Sequence, residues 1–254
     1  MSAPSPGLLV SAQDGTATVT ISNPDRRNAM TLAMWRALPE LLDSLATDPA
    51  VRVLVLTGAG DTFCAGADIG DFTASGGSPA TQQAAVDAEE ALAAFPKPTI
   101  AEVRGFCVGG GCQLAVACDL RFAARGATFG VTPARLGIVY PASSTRRLVE
   151  LAGPSTAKYL LYSAELIDEE RALRTGLVDE VLPADRLGPR VRAFAGVLRS
   201  RSQLSQAAAK EFAAGPAAAD RTAYWAAQAR TSGDTAEGAA AFLARRSPRF
   251  TWTP

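Results

Sequence analysis

Histidine is absent from this chain of 254 residues. That absence removes every His-based triad, every imidazole general base and every His-ligated zinc site at once. Cysteine is scarce. The four are Cys64, Cys107, Cys112 and Cys118; no C-x-x-C pair occurs, and the spacings match no common zinc pattern. They read as reduced, buried, small apolar residues, which points to a reducing cytosol and a cytoplasmic protein. Charge of either sign in excess is missing as well: 25 basic residues balance 25 acidic ones, so nothing draws the chain toward nucleic acid or an anionic membrane. Long hydrophobic runs are lacking too. The longest uncharged apolar stretch, Gly105 to Ala117, is too short and glycine-rich to span a bilayer. The N-terminal M-S-A-P-S-P-G has neither the basic region nor the apolar core of a signal peptide.

What is present is a globular composition, 48% apolar against 20% charged, with enough length to bury a sizeable core as one large domain or a domain plus an appendage. The stretch around which the rest is organised is R-G-F-C-V-G-G-G-C-Q-L-A-V-A-C-D, Arg104–Asp119. Gly109, Gly110 and Gly111 separate an apolar lead-in from an apolar run that reads as a helix. A helix starting there points unpaired N–H groups back at the turn, where they suit an anion or an oxygen that becomes one. The bland alternative is a tight turn with close helix packing. The G-x-G-x-x-G and G-x-x-x-x-G-K-[ST] patterns are missing here, which argues against a nucleotide phosphate cradle.

Along the chain, Leu8–Ala12 and Thr16–Ile21 read as strands paired across an Asp14-Gly15 turn. Thr31 is placed to cap a helix over Leu32–Ala46, in which Pro39 suggests a kink or a late start. Val51–Thr57 and Thr99–Val103 read as strands, each leading into a glycine-containing turn, Phe63–Ile69 and Gly109–Gly111. Residues 73–81 read as a small polar loop, followed by an Ala-rich helix from Thr81 to Phe95. Leu120–Ala123 and Thr128–Gly130 read as extended. Helices are predicted at Ser143–Leu151, Pro154–Tyr162, Asp168–Arg174, Ala184–Arg199, Gln203–Ala213, Ala219–Thr231 and Thr235–Arg245, with an extended break at Leu177–Val181. Repeated strand–turn–helix units predict an α/β fold with sites at strand ends.

Taken together, F-C-A-G-A-D-I at 63–69, G-F-C-V-G-G-G-C-Q-L-A-V-A-C-D at 105–119 and A-x-F-G at 127–130 resemble, in order and spacing, the crotonase (enoyl-CoA hydratase/isomerase) superfamily. R-N-A-M at 27–30, L-G at 136–137, T-R-R-L at 145–148 and A-x-x-x-G-L-V-D-E-V at 172–181 add to the resemblance. It implies an acyl-CoA enzyme built as a spiral of ββα units over residues 1–190, with a C-terminal helical trimerisation region over 191–254. It also implies a homotrimer or dimer of trimers and no cofactor beyond the CoA moiety of the substrate. The family's two oxyanion N–H donors fall on Ala67 and Gly110. Chemistry beside a thioester builds negative charge on its oxygen, and preorganised N–H groups stabilise that enolate. Family CoA contacts fall on Arg27, Ala29, Ala65, Ala67, Asp68, Ile69 and Gly110; Lys210 and Phe250 match positions that reach a neighbouring subunit's CoA.

The chain departs from the family's hydratases. They use two glutamates flanking a water; here Gln113 stands at the first position and Pro133 at the second. An amide can position a group but cannot take a proton from water. The segment T-P-A-R-L-G-I-V-Y-P, 132–141, resembles the methylmalonyl-CoA decarboxylase branch, which implies that Thr132 and Tyr140 face the acyl group. Decarboxylation needs no base to begin, and a site without acidic side chains suits a substrate that already carries a carboxylate. That branch has a glutamate where Gln113 stands and a histidine where Ala67 stands, so the match is partial. Three readings stay open: a decarboxylase-like enzyme working through an enolate, a non-catalytic acyl-CoA binder, and a hydratase or isomerase whose carboxylate comes from elsewhere, with Asp71 and Glu90 as candidates.

Overall fold

The computed structural model of the chain describes residues 5–74, 79–215 and 218–254. Strands β1 (Gly7–Gln13) and β2 (Thr16–Ser22) pair antiparallel. The turn between them places Asp14 and Gly15 at φ 50° and 78°, the left-handed geometry that a two-residue hairpin demands. Helix α1 (Leu32–Thr47) follows, and the Thr31 side chain accepts from the Met34 N–H as its cap. Its apolar stripe, Met34, Trp35, Leu38, Leu42 and Leu45, is buried.

The chain then alternates strand and helix: β3 (Val53–Gly58), α2 (Ile69–Ala74), α3 (Pro79–Ala93), β4 (Thr99–Val103), β5 (Phe106–Val108), α4 (Gly110–Ala117), β6 (Leu120–Ala124) and β7 (Thr128–Gly130). Beyond these come α5 (Pro133–Leu136), α6 (Ala142–Ser163), β8 (Ile167–Asp168), α7 (Glu169–Arg174), β9 (Glu180–Leu182), α8 (Ala184–Arg199), α9 (Gln203–Ala213), α10 (Ala219–Thr231) and α11 (Asp234–Leu243). The larger sheet has the order β1-β2-β3-β4-β6-β9, parallel from β2 onward; a smaller one has the order β5-β7-β8.

The run V-L-V-L in β3 is buried throughout because this parallel sheet is covered on both faces. Val53 and Val55, with Ile100 and Phe122, pack under Leu187 and Val191 of α8. Leu54 and Leu56 face the other way, into a larger core with Trp35, Phe63, Leu92, Phe95 and Phe129. The small sheet and α4 belong to that same core through Cys107, Phe129, Ile167, Cys112 and Leu114.

Two local expectations are corrected. Helix α1 starts at Leu32 and contains Pro39, so that proline marks no late start. Residues 73–81 are not one loop: 73–74 complete α2 and 79–81 begin α3, while 75–78 lie outside the described residues. The two helices expected at 143–151 and 154–162 are both present within α6, divided by a kink at Gly153, φ 76°, ψ 161°. Among the described residues no helix is long and apolar enough to cross a membrane.

Candidate active site

The site is built where the segment after β3 runs back along β5. Phe63 and Cys64 donate to the carbonyls of Arg104 and Phe106 at 2.7 and 2.8 Å, and Val108 donates to Cys64 at 3.0 Å. The Arg27–Ala29 loop is fastened to the same segment. Ala65 donates to the Arg27 carbonyl at 3.0 Å. Asn28, fully buried, gives its Nδ2 to the Ala59 and Thr62 carbonyls at 2.8 and 2.6 Å. The Arg27 guanidinium lies 4.7 Å over the Phe106 ring. Arg27, Ala29, Ala65, Ala67 and Asp68 are thus brought together, with Ile69 beside them and exposed.

Ala67 is paired with Met30 through its neighbours. Met30 donates to the Gly66 carbonyl at 2.8 Å and Asp68 donates to Met30 at 2.9 Å. Parallel bridging of this kind turns the N–H of the middle residue away from the partner strand. The Ala67 N–H has no partner among the described residues. Gly109 adopts φ 55°, ψ −122° and donates to the Gly130 carbonyl at 2.8 Å, a backbone shape that admits glycine only. It launches α4, whose first residue, Gly110, has an N–H that no helical carbonyl can reach. A Cβ on Gly111 would stand 2.2 Å from the Cys64 carbonyl oxygen, so only glycine lets α4 approach the 63–69 segment this closely. The outcome is two main-chain donors, the Ala67 N–H on the 63–69 segment and the Gly110 N–H at the start of α4.

Gln113 lies one turn into α4 and is buried. Its Nε2 donates to Glu89, a residue of α3 with no exposed surface. The same carboxylate accepts from the Ser144 hydroxyl and from Arg147 at 2.6 Å. Arg147 also holds Glu90 at 2.5 Å. Hydrogen bonding to Arg147, ahead of a smaller opposing effect of burial, keeps Glu90 below the ordinary carboxylate range. Burial works against the Arg147 charge, but the hydrogen bonds it donates to both glutamates outweigh that and raise its pKa. The Tyr140 ring packs against the core, and burial pushes its hydroxyl well above the ordinary phenol range, with Cys112, Glu89 and Cys107 adding to the effect. Tyr140 therefore stays neutral and able to donate.

Glu89 was not singled out in the sequence. The signal was there: it falls on the buried stripe of α3 that carries Ala84, Ala88 and Leu92, where a carboxylate without partners would be costly. Of the two candidates that were named, Asp71 accepts from the Leu32 N–H at 3.0 Å at the start of α1, and Glu90 is half-exposed in its ion pair. Position 133 is a proline at the start of α5, and Thr132 precedes it without a side-chain cap bond. The Thr132 Oγ1 stands 3.8 Å from where a Cβ on Gly109 would be. Thr132, Tyr140 and Gln113 are thus on elements around the donor pair.

Lys210 and Phe250 are elsewhere. Lys210 pairs with Asp119 at 3.0 Å and donates to the Lys97 carbonyl at 3.3 Å. Phe250 lines a cleft of about 510 Å³ between α9, α10 and α11, together with Phe212 and Trp225. All four cysteines are buried free thiols, as their sequence context predicts.

The family model described as enoyl-CoA hydratase/isomerase matches residues 11–252. A crotonyl-CoA hydratase of Syntrophomonas wolfei is 34% identical over 252 residues, covering 96% of this chain and 97% of the relative. The 2,3-dehydroadipyl-CoA hydratase of Escherichia coli is 34% identical over 250 residues, with 96% and 98% covered. A crystal structure of an enoyl-CoA hydratase/isomerase family member superimposes with a TM-score of 0.93 at 39% identity over the whole of both chains. The enoyl-CoA hydratase of Bacillus anthracis superimposes with a TM-score of 0.86 at 29% identity, covering 96% of this chain and 98% of that one. With the fold, the donor turn and these relatives in agreement, the chain belongs to the enoyl-CoA hydratase/isomerase family of the crotonase superfamily and is an enzyme acting on CoA thioesters.

Proposed function

We propose that the Ala67 and Gly110 N–H groups hold the thioester oxygen of an acyl-CoA, and that the reaction is decarboxylase-like. The observation that carries this reading is the pairing of two unengaged main-chain donors with an amide and a proline where a hydratase needs carboxylates. When the bond from the α-carbon to a substrate carboxylate breaks, its electron pair moves into the thioester as an enolate and carbon dioxide leaves. The donors stabilise the charge that collects on oxygen. A proton from water then adds to the α-carbon, leaving hydroxide to solvent. Thr132 and Tyr140 supply hydroxyls for the departing carboxylate, and burial keeps the Tyr140 proton in place. The chemistry calls on no cofactor beyond the CoA moiety. Arg27, Ala29, Ala65, Asp68 and Ile69 form the rim for CoA.

Hydration is the second reading, favoured by relatives named as hydratases and by the contact between Glu89 and Gln113. Against it, both Glu89 oxygens already accept from Gln113, Ser144 and Arg147, which leaves Glu89 a poor base toward water. Incubating the protein with malonyl-CoA, methylmalonyl-CoA and crotonyl-CoA separates the readings. Carbon dioxide release supports the first, rapid hydration of crotonyl-CoA the second, and binding without turnover a non-catalytic role.

We further propose a homotrimer or dimer of trimers. Phe242 and Leu243 at the end of α11 are 84% and 83% exposed, an apolar surface that assembly through the C-terminal helices would cover.

A further inference from the structure

We propose that Glu89 is a positioning residue that sets which end of the Gln113 amide the acyl group meets, and that the pocket therefore selects acyl chains carrying a hydrogen-bond donor. The inference rests on the reading that an acyl-CoA occupies this site, but not on which reaction it undergoes.

A carboxylate accepts hydrogen bonds and offers none. Glu89, sealed from solvent, gathers the Ser144 hydroxyl, the Arg147 guanidinium and the Gln113 side chain. With Arg147 anchored a second time on Glu90, the carboxylate is held from the far side, and what it has left to offer toward α4 is acceptor sites only. Gln113 must meet them with Nε2, because turning the amide over would set two acceptors against each other in a buried place. The Gln113 carbonyl oxygen is thereby fixed on the opposite side. That Oε1 has no hydrogen-bond partner among the described residues, yet it is not sealed in the protein interior.

Where the oxygen faces follows from the helix. Gln113 is three residues after Gly110 on α4, so the two share a face, and helical side chains lean toward the N-terminus. The amide covers the turn that carries the Gly110 donor. The Gly110 and Gln113 Cα atoms are about 4.5 Å apart along the helix axis, so a side chain leaning back from Gln113 lies beside an acyl chain within a few bonds of its thioester carbonyl. The pocket presents a fixed acceptor at that depth. It welcomes a hydroxyl, disfavours a keto oxygen, and directs a substrate carboxylate away from Gln113.

The test is calorimetric binding of pentanoyl-CoA, 4-hydroxypentanoyl-CoA and 4-oxopentanoyl-CoA to the full chain. Wild type should bind the hydroxyl thioester about 10-fold more tightly than the keto one, on the scale of one buried hydrogen bond against one unmet acceptor pair. In Glu89→Gln the partner can accept or donate, so Gln113 is free to turn. The hydroxyl-to-keto preference should fall to about 2-fold, mainly because the keto thioester binds more tightly. A gain of affinity for one ligand is something general loosening of the fold does not produce. Gln113→Met, which leaves Glu89 untouched, should bring both ligands to the pentanoyl-CoA level and serves alone if Glu89→Gln does not fold. Equal binding of hydroxyl and keto thioesters by wild type, or a preference unchanged in Glu89→Gln or in Gln113→Met, overturns the proposal. Failure of all three thioesters to bind wild type overturns the acyl-CoA reading beneath it.

Discussion

The backbone nitrogen of Ala67 stands 3.6 Å from the point a Cβ would occupy on Gly110. That same point is 2.8 Å from Cζ2 of Trp35, so the donor pair is wedged between a loop and a buried indole. Gly110→Ala cannot be accommodated without moving the ring or the start of α4. Displacing one oxyanion donor costs on the order of 100-fold in turnover. We expect a loss of 10- to 100-fold in kcat with the fold intact, read by steady-state kinetics beside a thermal melt. Gly111→Ala should do the reverse. Its methyl would meet the Cys64 main chain at 2.2 Å, and neither side can yield cheaply, so it should lose about 1–3 kcal/mol or more of stability. Equal effects of the two substitutions on both readouts would contradict this division.

Tyr140→Phe removes one hydroxyl and little volume. If that hydroxyl meets the departing carboxylate, decarboxylation should slow about 10- to 100-fold while acyl-CoA affinity changes little. Decarboxylation at the wild-type rate would leave the enolate chemistry standing and remove Tyr140 from it.

Crotonyl-CoA hydration by the wild type should be very slow or absent, and Gln113→Glu should not create it, because Pro133 supplies no second carboxylate. The structure adds a further cost: the new glutamate would lie against Glu89 in the space that Gln113 Nε2 now fills. Like charges that close disfavour one another, so the variant should also slow loss of carbon dioxide from methylmalonyl-CoA. Rapid hydration by either protein would send the search to Glu89.

Alkaline pH should weaken the fold through its thiols. Burial pushes Cys64 and Cys118 up to about 12 from an ordinary 9.0. A group whose folded pKa is raised keeps its proton in the native state after the unfolded chain has lost it. Stability is therefore full below about 9 and declines between about 9 and 12. Denaturant midpoints across pH 8 to 11 measure the decline, and native Cys64 and Cys118 should resist alkylation at about pH 8, where buried thiols stay protonated. Prompt alkylation of native protein would show that these cysteines are open to solvent.

Light scattering should report a trimer or hexamer. A monomer at micromolar concentration would leave the exposed Phe242 and Leu243 without the partner proposed for them.

Much of this arrangement was legible in the residues. The hairpin at Asp14-Gly15, the strand over Thr99–Val103 and the helices over Ala184–Arg199 and Gln203–Ala213 announce themselves through turn residues, β-branched runs and apolar periodicity. Glycines mark the donor turn because no other residue fits there. The strand β5 was not legible, since three residues beside a glycine turn carry no period of their own and find their partners far off in sequence, at Cys64 and in β7. Glu89 was not legible as a site residue either. Its meaning depends on Ser144 and Arg147 arriving from α6, 55 and 58 positions away, and a long-range ion pair leaves no local pattern. The neighbouring Glu90 drew attention instead, having the same chemistry and the wrong side of the helix.

The two donors belong to the main chain. Short of proline, which has no backbone N–H, no exchange of side chain can delete them; it can only crowd or shift them. On the reading proposed here, change at 113, 132, 133 or 140 alters what is done to an acyl group while the grip on its carbonyl survives. A lineage built on such a grip passes through intermediates that still hold substrate, and new reactivity does not have to wait for binding to be reinvented.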